Sequence, residues 1–165
     1  SHTKHPNHQN NLGYSALTMA EKRRSKKVFD FLMDREADVM VVDAEGNNLI
    51  YHAFKAFHKK KQKELNDMID RLVKAGVNPK SANIEGNTLA HIAVEKQSLF
   101  LLEKAIALGV DINYQNKMNL SPLHVAAMQS KNKDIINVLL HNGANKALKT
   151  EFNESAYDLA MENEL

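Results

Sequence analysis

Residues 119–145 read NLSPLHVAAMQSKNKDIINVLLHNGAN, and this stretch contains one complete structural unit. Ser121 follows a polar turn and is a good helix N-cap, because its hydroxyl can accept a hydrogen bond from an amide of the first helical turn. The small apolar residues after it predict a short helix. After a polar break, residues 134–140 have the apolar spacing of a second, amphipathic helix. Gly143 then stands where a left-handed helix C-cap is needed.

The same unit recurs along the chain with a period of 33 or 34 residues. Intervals of 33, 40, 33 and 34 residues separate the successive turn residues, which are Gly13, Gly46, Gly86, Asn119 and Asn153. We interpret the interval of 40 as one period plus seven inserted residues. A second series of glycines closes the apolar stretches at Gly76, Gly109 and Gly143. Two short helices cannot bury their apolar faces alone, so neighbouring units are expected to stack into a continuous core.

The motifs Ser121-Pro122-Leu123-His124 and Thr88-Leu89-Ala90-His91, with endings such as Gly143-Ala144-Asn145, resemble ankyrin repeats. The resemblance covers residues 10–165 and implies an all-α solenoid of stacked helix-turn-helix units with β-hairpin or turn fingers. It implies repeats near 10–42, 43–82, 83–115 and 116–149, and a partial repeat at 150–165. Residues 1–9 are expected to be a flexible tail or the remnant of a preceding repeat. We expect the chain to be either a piece of a longer array or a repeat stack that lacks its caps.

Three repeats depart from the family pattern at the position that His91 and His124 occupy. This histidine normally forms hydrogen bonds between the turn and the helix, so we expect a weaker fit between repeats at the N-terminal end. The residues found there instead are Thr18, Tyr51 and Asp158. The inserted residues, at about 57–65, lie between the helices of the second repeat, where they either extend the helices or form a projecting loop.

Composition argues against catalysis and against a metal site. The chain contains no Cys, no Trp, six Gly and three Pro, which excludes disulfide scaffolds, zinc fingers and Cys nucleophiles. It contains no GxSxG or HExxH motif and no phosphate-binding glycine loop. We assign His91 and His124 to the structural position of the repeat, and His2, His5 and His8 to a flexible terminus. We therefore predict no catalytic residue, no metal, no cofactor and no small-molecule substrate.

The hydrophobic content of 43% and the charged content of 25% are typical of soluble globular domains. No apolar run approaches the roughly 18–20 residues of a membrane-spanning helix. The lack of Cys fits a reducing cytosol as well as an oxidising periplasm; a cytoplasmic location is slightly favoured, and a secreted one stays open. We expect a monomer rather than an obligate oligomer.

In the ankyrin family, the tips of the turns and the exposed face of the first helix form the surface that binds partners. Several of these positions carry apolar or aromatic residues here, and a contiguous patch of such residues on a soluble protein usually marks an interface. The alternative is that the tips pack on one another or on neighbouring repeats. The residues predicted to contact a protein or peptide are Leu12, Tyr14, Asn47, Ile84, Asn87, Met118, Leu120, Met128 and Phe152.

Basic residues are concentrated at the turns between the helices of the first two repeats. Residues 22–27 and 55–63 hold ten of the 22 Lys and Arg side chains and no acidic residue, although the net charge is only +2. Stacking places these turns on adjacent layers, about 8–10 Å apart. We call this set of residues the basic ridge. Its members are Lys22, Arg23, Arg24, Lys26, Lys27, Lys55, Lys59, Lys60, Lys61 and Lys63.

These patterns support two hypotheses for function. The preferred one is a non-catalytic scaffold that binds a protein or peptide on its concave face. The alternative is an electrostatic adaptor that docks on an acidic partner, anionic lipid or nucleic acid through the basic ridge. The ridge can also be interpreted as an ordinary solvated face without a binding role. Among the possible classes of protein, an enzyme is the least favoured.

Overall fold

The computed structural model of the chain describes residues 7–23, 26–35, 37–129 and 132–164. In these ranges it contains nine α-helices, one short 3-10 turn and no β-strand, which confirms the predicted all-α repeat fold. The connections between repeats are therefore turns in the described part of the chain. The helices are α1 (Ala16–Lys22), α2 (Lys26–Asp34), α3 (Leu49–Ala56), α4 (Gln62–Lys74), α5 (Leu89–Glu95), α6 (Leu99–Ala107), α7 (Pro122–Gln129), α8 (Lys133–His141) and α9 (Ala156–Glu164).

Two compact units make up the chain, residues 1–78 and 79–165. In the first unit, α1 packs against α2 and α3, and α3 packs against α4. In the second unit, α5 packs against α6 and α7, and α7 packs against α8 and α9. The odd-numbered helices are thus the first helices of the repeats, and consecutive first helices within a unit pack on each other, as the stacking of helix pairs requires.

The same hydrogen-bonded turn precedes each first helix. Its opening residue donates its backbone N–H to the carbonyl oxygen four residues later, over 2.9–3.0 Å. The side-chain oxygen of that residue accepts backbone N–H groups from inside the turn. The five opening residues are Asn10, Asp43, Asn83, Asn116 and Thr150. Because the fourth residue of the turn has a φ between 57° and 81°, glycine or asparagine is favoured there.

Consecutive turns within a unit lie against each other through their backbones. The Ala44 N–H donates to the carbonyl oxygen of Leu12 over 2.8 Å, and the Lys117 N–H donates to that of Glu85 over 3.0 Å. A Cβ atom on Gly86 would lie 2.9 Å from the Cα of Asn116. The turn glycine is therefore required by the close approach of the next turn as well as by its own φ.

Residues at the start of the described chain form hydrogen bonds of the kind that later repeats also form. Residues 1–6 lie outside the described ranges. Asn7 accepts the backbone N–H of Asp38 at 2.6 Å, and the amide of Gln9 donates to the carbonyl oxygen of Val42 at 2.8 Å. Asn113 and Gln115 make the equivalent contacts, to the backbones of Asn145 and Lys149. Asn7 and Gln9 thus make the same kinds of hydrogen bond as Asn113 and Gln115.

The inserted segment of the second repeat is helical. Its helix α4 has 13 residues, against nine in each of α2, α6 and α8. The 3-10 turn Lys59–Lys61 leads directly into it. Of residues 57–65, Phe57 and His58 lie outside the helices, residues 59–61 form the 3-10 turn and residues 62–65 are the first turn of the lengthened α4. Leu65, Ile69 and Leu72 bury one face of α4, which anchors the extension to the first unit.

Candidate functional site

Two buried histidines join a first helix to the following turn. Nδ1 of His91 accepts the backbone N–H of Thr88 at 3.1 Å, which caps α5. Its Nε2 lies 2.8 Å from the carbonyl oxygen of Leu120, so the Nε2–H tautomer donates this bond. Burial lowers the pKa of His91 and keeps the ring neutral at pH 7. His124 makes the same kinds of contact, the second to the carbonyl oxygen of Leu148. Both rings therefore join structural elements, the role that the sequence assigned to them.

The first two repeats replace this histidine in different ways. Thr18 caps α1 by accepting the Ser15 N–H at 3.3 Å, but its side chain is shorter than an imidazole. In α3, Tyr51 takes the position, and the next residue, His52, makes a buried polar contact instead. Nε2 of His52 lies 2.8 Å from the carboxylate of Asp43. This pair fastens α3 to the turn before it, a contact that the family pattern did not predict.

The buried pair is an ionised carboxylate with a neutral imidazole. Burial lowers the pKa of His52 and outweighs the attraction of Asp43. Burial also raises the pKa of Asp43, but hydrogen bonds donated by Asn47 and by the backbone of Glu45 outweigh it and hold the net pKa below its usual value. The ring of Tyr14 meets that of His52 edge-on, with 5.4 Å between centroids. The arrangement is enclosed, and we interpret it as a structural pair.

Five of the nine predicted partner-binding residues are well exposed. Their exposed fractions are 58% for Leu12, 53% for Ile84, 54% for Met118, 47% for Met128 and 75% for Phe152. Met118 and Phe152 occupy the same position, just before the positive-φ asparagine, in two consecutive turns of the second unit. Ile84 lies in the turn before them.

The other four predicted partner-binding residues are partly or fully covered. Asn47 is only 3% exposed and donates its side-chain amide to Asp43 at 3.1 Å. It belongs to the interior of its turn, so the proposed contact surface does not include it. Asn87 accepts a side-chain amide from the next turn at 2.9 Å. Tyr14 and Leu120 are half-buried.

All members of the basic ridge within the described ranges are exposed, and Arg24 lies outside those ranges. Lys26 pairs with Asp30 at 2.7 Å, and Lys61 pairs with Glu64 at 3.4 Å. These partly exposed pairs contribute little to stability, because water screens them and the long side chains lose entropy. Lys26 and Lys61 are thus exposed lysines that their carboxylate partners hold only weakly.

A cavity of about 50 Å³ lies in the first unit, and residues of α1, α2, α3, α4 and the segment between α3 and α4 line it. Its apolar lining consists of Ala53, Ala56, Phe57, Leu65 and Met68. Its polar and charged lining consists of Glu21, Lys26, His58, Lys61 and Glu64. Lys26 and Lys61, one from each basic segment, thus line the same concavity.

Glu21 is the unusual member of this lining. Its side chain is 2% exposed, and its Oε1 has no hydrogen-bond partner among the residues that the structure describes. Burial raises the pKa of this carboxyl to about 8. Glu21 was not predicted from the sequence, although the repeat register contains the signal. It lies eight residues after its turn glycine, where the following repeats have the buried apolar residues Phe54, Val94 and Ala127.

Two classes of feature were not found in the part of the chain that the structure describes. None of these residues forms a group of three or more side chains able to hold a metal ion. None of the described helices is long and apolar enough to cross a membrane.

The sequence of the chain is similar to a family model and to parts of longer proteins. A family model described as ankyrin repeats (3 copies) matches residues 58–150. The chain is 24% identical over 146 residues to the ADP-ribosylation factor GTPase-activating protein AGD4 of Arabidopsis thaliana, covering 86% of this chain and 18% of that protein. It is 25% identical over 108 residues to the E3 ubiquitin-protein ligase KEG of the same plant, covering 65% of this chain and 7% of that protein. The chain thus spans less than a fifth of the length of either relative.

Proposed function

The chain belongs to the ankyrin repeat family, and on this premise we propose that it is a non-catalytic scaffold that binds a protein or peptide through its turn tips and the exposed faces of its first helices. Ankyrin repeats generally mediate protein–protein interaction. Because one fold serves many functions, the proposal must also stand on particular residues of this chain.

The exposure of apolar side chains at consecutive turns supports this proposal most directly. Ile84, Met118 and Phe152 lie at the three turns of the second unit, and each exposes more than half of its surface. Large apolar side chains grouped on a soluble surface favour partner binding, and Met and Phe are enriched in interfaces. The turns themselves are held by backbone and Asn or Thr side-chain hydrogen bonds, so the fold does not require these apolar tips.

We expect the double variant Met118→Asp/Phe152→Asp to lose partner binding without unfolding. Two desolvated anchors contribute about 2 kcal/mol or more, so the Kd should rise at least roughly thirtyfold. Partners are recovered by affinity capture and mass spectrometry, and the strongest is then purified and titrated. Helical circular dichroism should be unchanged.

Phe31→Asp is the matched control, because Phe31 is 54% exposed and belongs to the second helix of its repeat, α2, rather than to a turn. It should bind the purified partner as the wild-type protein does. Equal affinity of the tip variant and the control would refute the tip surface.

The basic ridge favours a second candidate function, docking on a polyanion. The observation behind it is that Lys26, at the start of α2, and Lys61, just before α4, line the same cavity. Basic side chains from two repeats therefore present one surface, whose field attracts anions more strongly than a net charge of +2 suggests.

A further inference from the structure

The cavity beneath the basic ridge contains an acid at a position that the repeat keeps apolar. Phe54, Val94 and Ala127 are buried at the register of Glu21 in the next three repeats. A buried polar atom without a partner is destabilising, and an apolar residue would avoid that loss. Oε1 of Glu21 is such an atom among the described residues, and its side chain lines the cavity. A bound group that pairs with this carboxyl would account for its presence.

The surroundings determine which kind of group fits. The charged side chains that line the cavity with Glu21 are Lys26, Lys61 and Glu64, and His58 is the remaining titratable one. The other exposed lysines of the ridge belong to the same two chain segments, residues 22–27 and 55–63, so the local charge is positive and attracts anions. Glu21 is protonated at neutral pH, because burial raises its pKa to about 8. A protonated carboxyl can donate a hydrogen bond, and a carboxylate is a strong acceptor for it.

We propose that this cavity binds the carboxylate side chain of an acidic partner segment, with buried Glu21 as hydrogen-bond donor. Lys26 and Lys61 contribute positive charge, and the entering carboxylate competes with Asp30 and Glu64 for them. The methylene groups of the entering side chain would contact Ala53, Ala56 and Phe57. This site lies in the first unit and does not depend on the proposed tip surface.

The lining agrees with a short acidic side chain. The space of about 50 Å³ is larger than a single water needs, and it is bordered by both apolar and charged groups. A phosphorylated head group has no apolar segment to contact the alanine and phenylalanine walls.

Titration with small probes tests the chemistry directly. Methyl NMR signals of Ala53 and Ala56 are followed at pH 7 while butyrate, butylammonium or inorganic phosphate is added. We expect butyrate to shift both signals in a saturable manner and the other two probes to leave them nearly unchanged. The acidic peptide acetyl-(Gly-Glu)4-amide should bind more tightly than butyrate, and its Gln counterpart should not bind.

The role of Glu21 is tested by pH and by two substitutions. Between pH 7 and pH 9 its protonated fraction falls from about nine-tenths to about one-tenth, so the Kd for butyrate should rise about tenfold in the wild-type protein. Glu21→Gln keeps a donor that does not titrate, and it should bind equally well at both pH values. Glu21→Val has no donor and should bind about tenfold more weakly than Glu21→Gln at both.

Two controls separate binding from folding and from other titrations. Glu21→Val should fold and raise the urea midpoint, because the other repeats bury apolar residues at this register. His58→Asn should retain the pH effect of the wild-type protein. Several results would overturn the proposal: equal shifts with butylammonium or phosphate, identical binding by the Gln and Val variants, or a wild-type Kd that does not change with pH.

Discussion

Glu21 links the stability of the fold to pH through a single side chain. Its folded pKa is about 8, against an ordinary value of 4.5. Between these pH values the unfolded chain has released the proton while the folded protein retains it. The free energy of unfolding therefore contains a contribution from Glu21 that is fully present below about pH 4.5, decreases as the pH rises, and is lost above about pH 8.

Comparison with Glu21→Gln isolates this contribution, because every other titrating group is common to both proteins. We expect the wild type to lose stability relative to the variant by about 1.4 kcal/mol per pH unit across this window. Urea unfolding at pH 5, 6.5 and 8 measures the difference. Parallel stability profiles for the two proteins would show that Glu21 titrates normally in the folded state.

At the scale of the helix, the family histidine performs two separable tasks. His91 caps α5 through the Thr88 N–H and reaches the carbonyl oxygen of Leu120 in the next turn. Thr18, at the same position of α1, retains the capping contact with a shorter side chain. Substitutions that copy the first repeat can therefore separate the cap from the link between layers.

We expect His91→Ala to destabilise the protein by about 2–3 kcal/mol, because it removes both hydrogen bonds. His91→Thr should recover about 1 kcal/mol of this loss by restoring the cap. The urea midpoints of the two variants at pH 7 provide the measurement. If both variants had the same midpoint, the cap would contribute nothing and the Leu120 contact would carry the whole effect.

The helical elements were largely predictable from sequence, and the exceptions have physical causes. Apolar periodicity together with Gly and Asn at each turn indicated the helix pairs, since the turn conformation excludes most other residues. The length of α4 was left open, because a polar, lysine-rich segment is compatible with either a loop or a solvated helical face. The His52–Asp43 contact was missed because it joins residues nine apart whose proximity only the folded turn creates.

At the scale of the whole chain, net charge conceals an uneven distribution. The balance of +2 includes a ridge of ten basic residues with no acid among them in sequence. Composition therefore argued correctly against a uniformly basic protein, whereas only the positions of the residues revealed the ridge. The sequence was similarly limited in predicting the candidate binding surface. It located the turn tips, but only the structure distinguishes the exposed side chains of Met118 and Phe152 from the buried side chain of Asn47.

Docking through the ridge predicts a steep salt dependence, because each neutralised phosphate releases counterions. Between 50 and 200 mM salt, affinity for single-stranded RNA or for phosphatidylserine vesicles should fall at least about tenfold. Lys59→Glu/Lys60→Glu should abolish this binding. Lys146→Glu/Lys149→Glu makes the same change of charge at exposed lysines in the second unit and should leave it intact. Equal losses in both variants would assign the effect to net charge alone.

The backbone hydrogen bonds between consecutive turns, such as Ala44 to Leu12 and Lys117 to Glu85, have a consequence for how such a protein diversifies. They join main-chain atoms and do not involve the exposed apolar side chains at the tips of the turns. The fold is thus specified by one set of positions and recognition by another, so either set can change without the other. Substitutions confined to the exposed tips can therefore change the binding specificity without altering the hydrogen bonds that join consecutive turns.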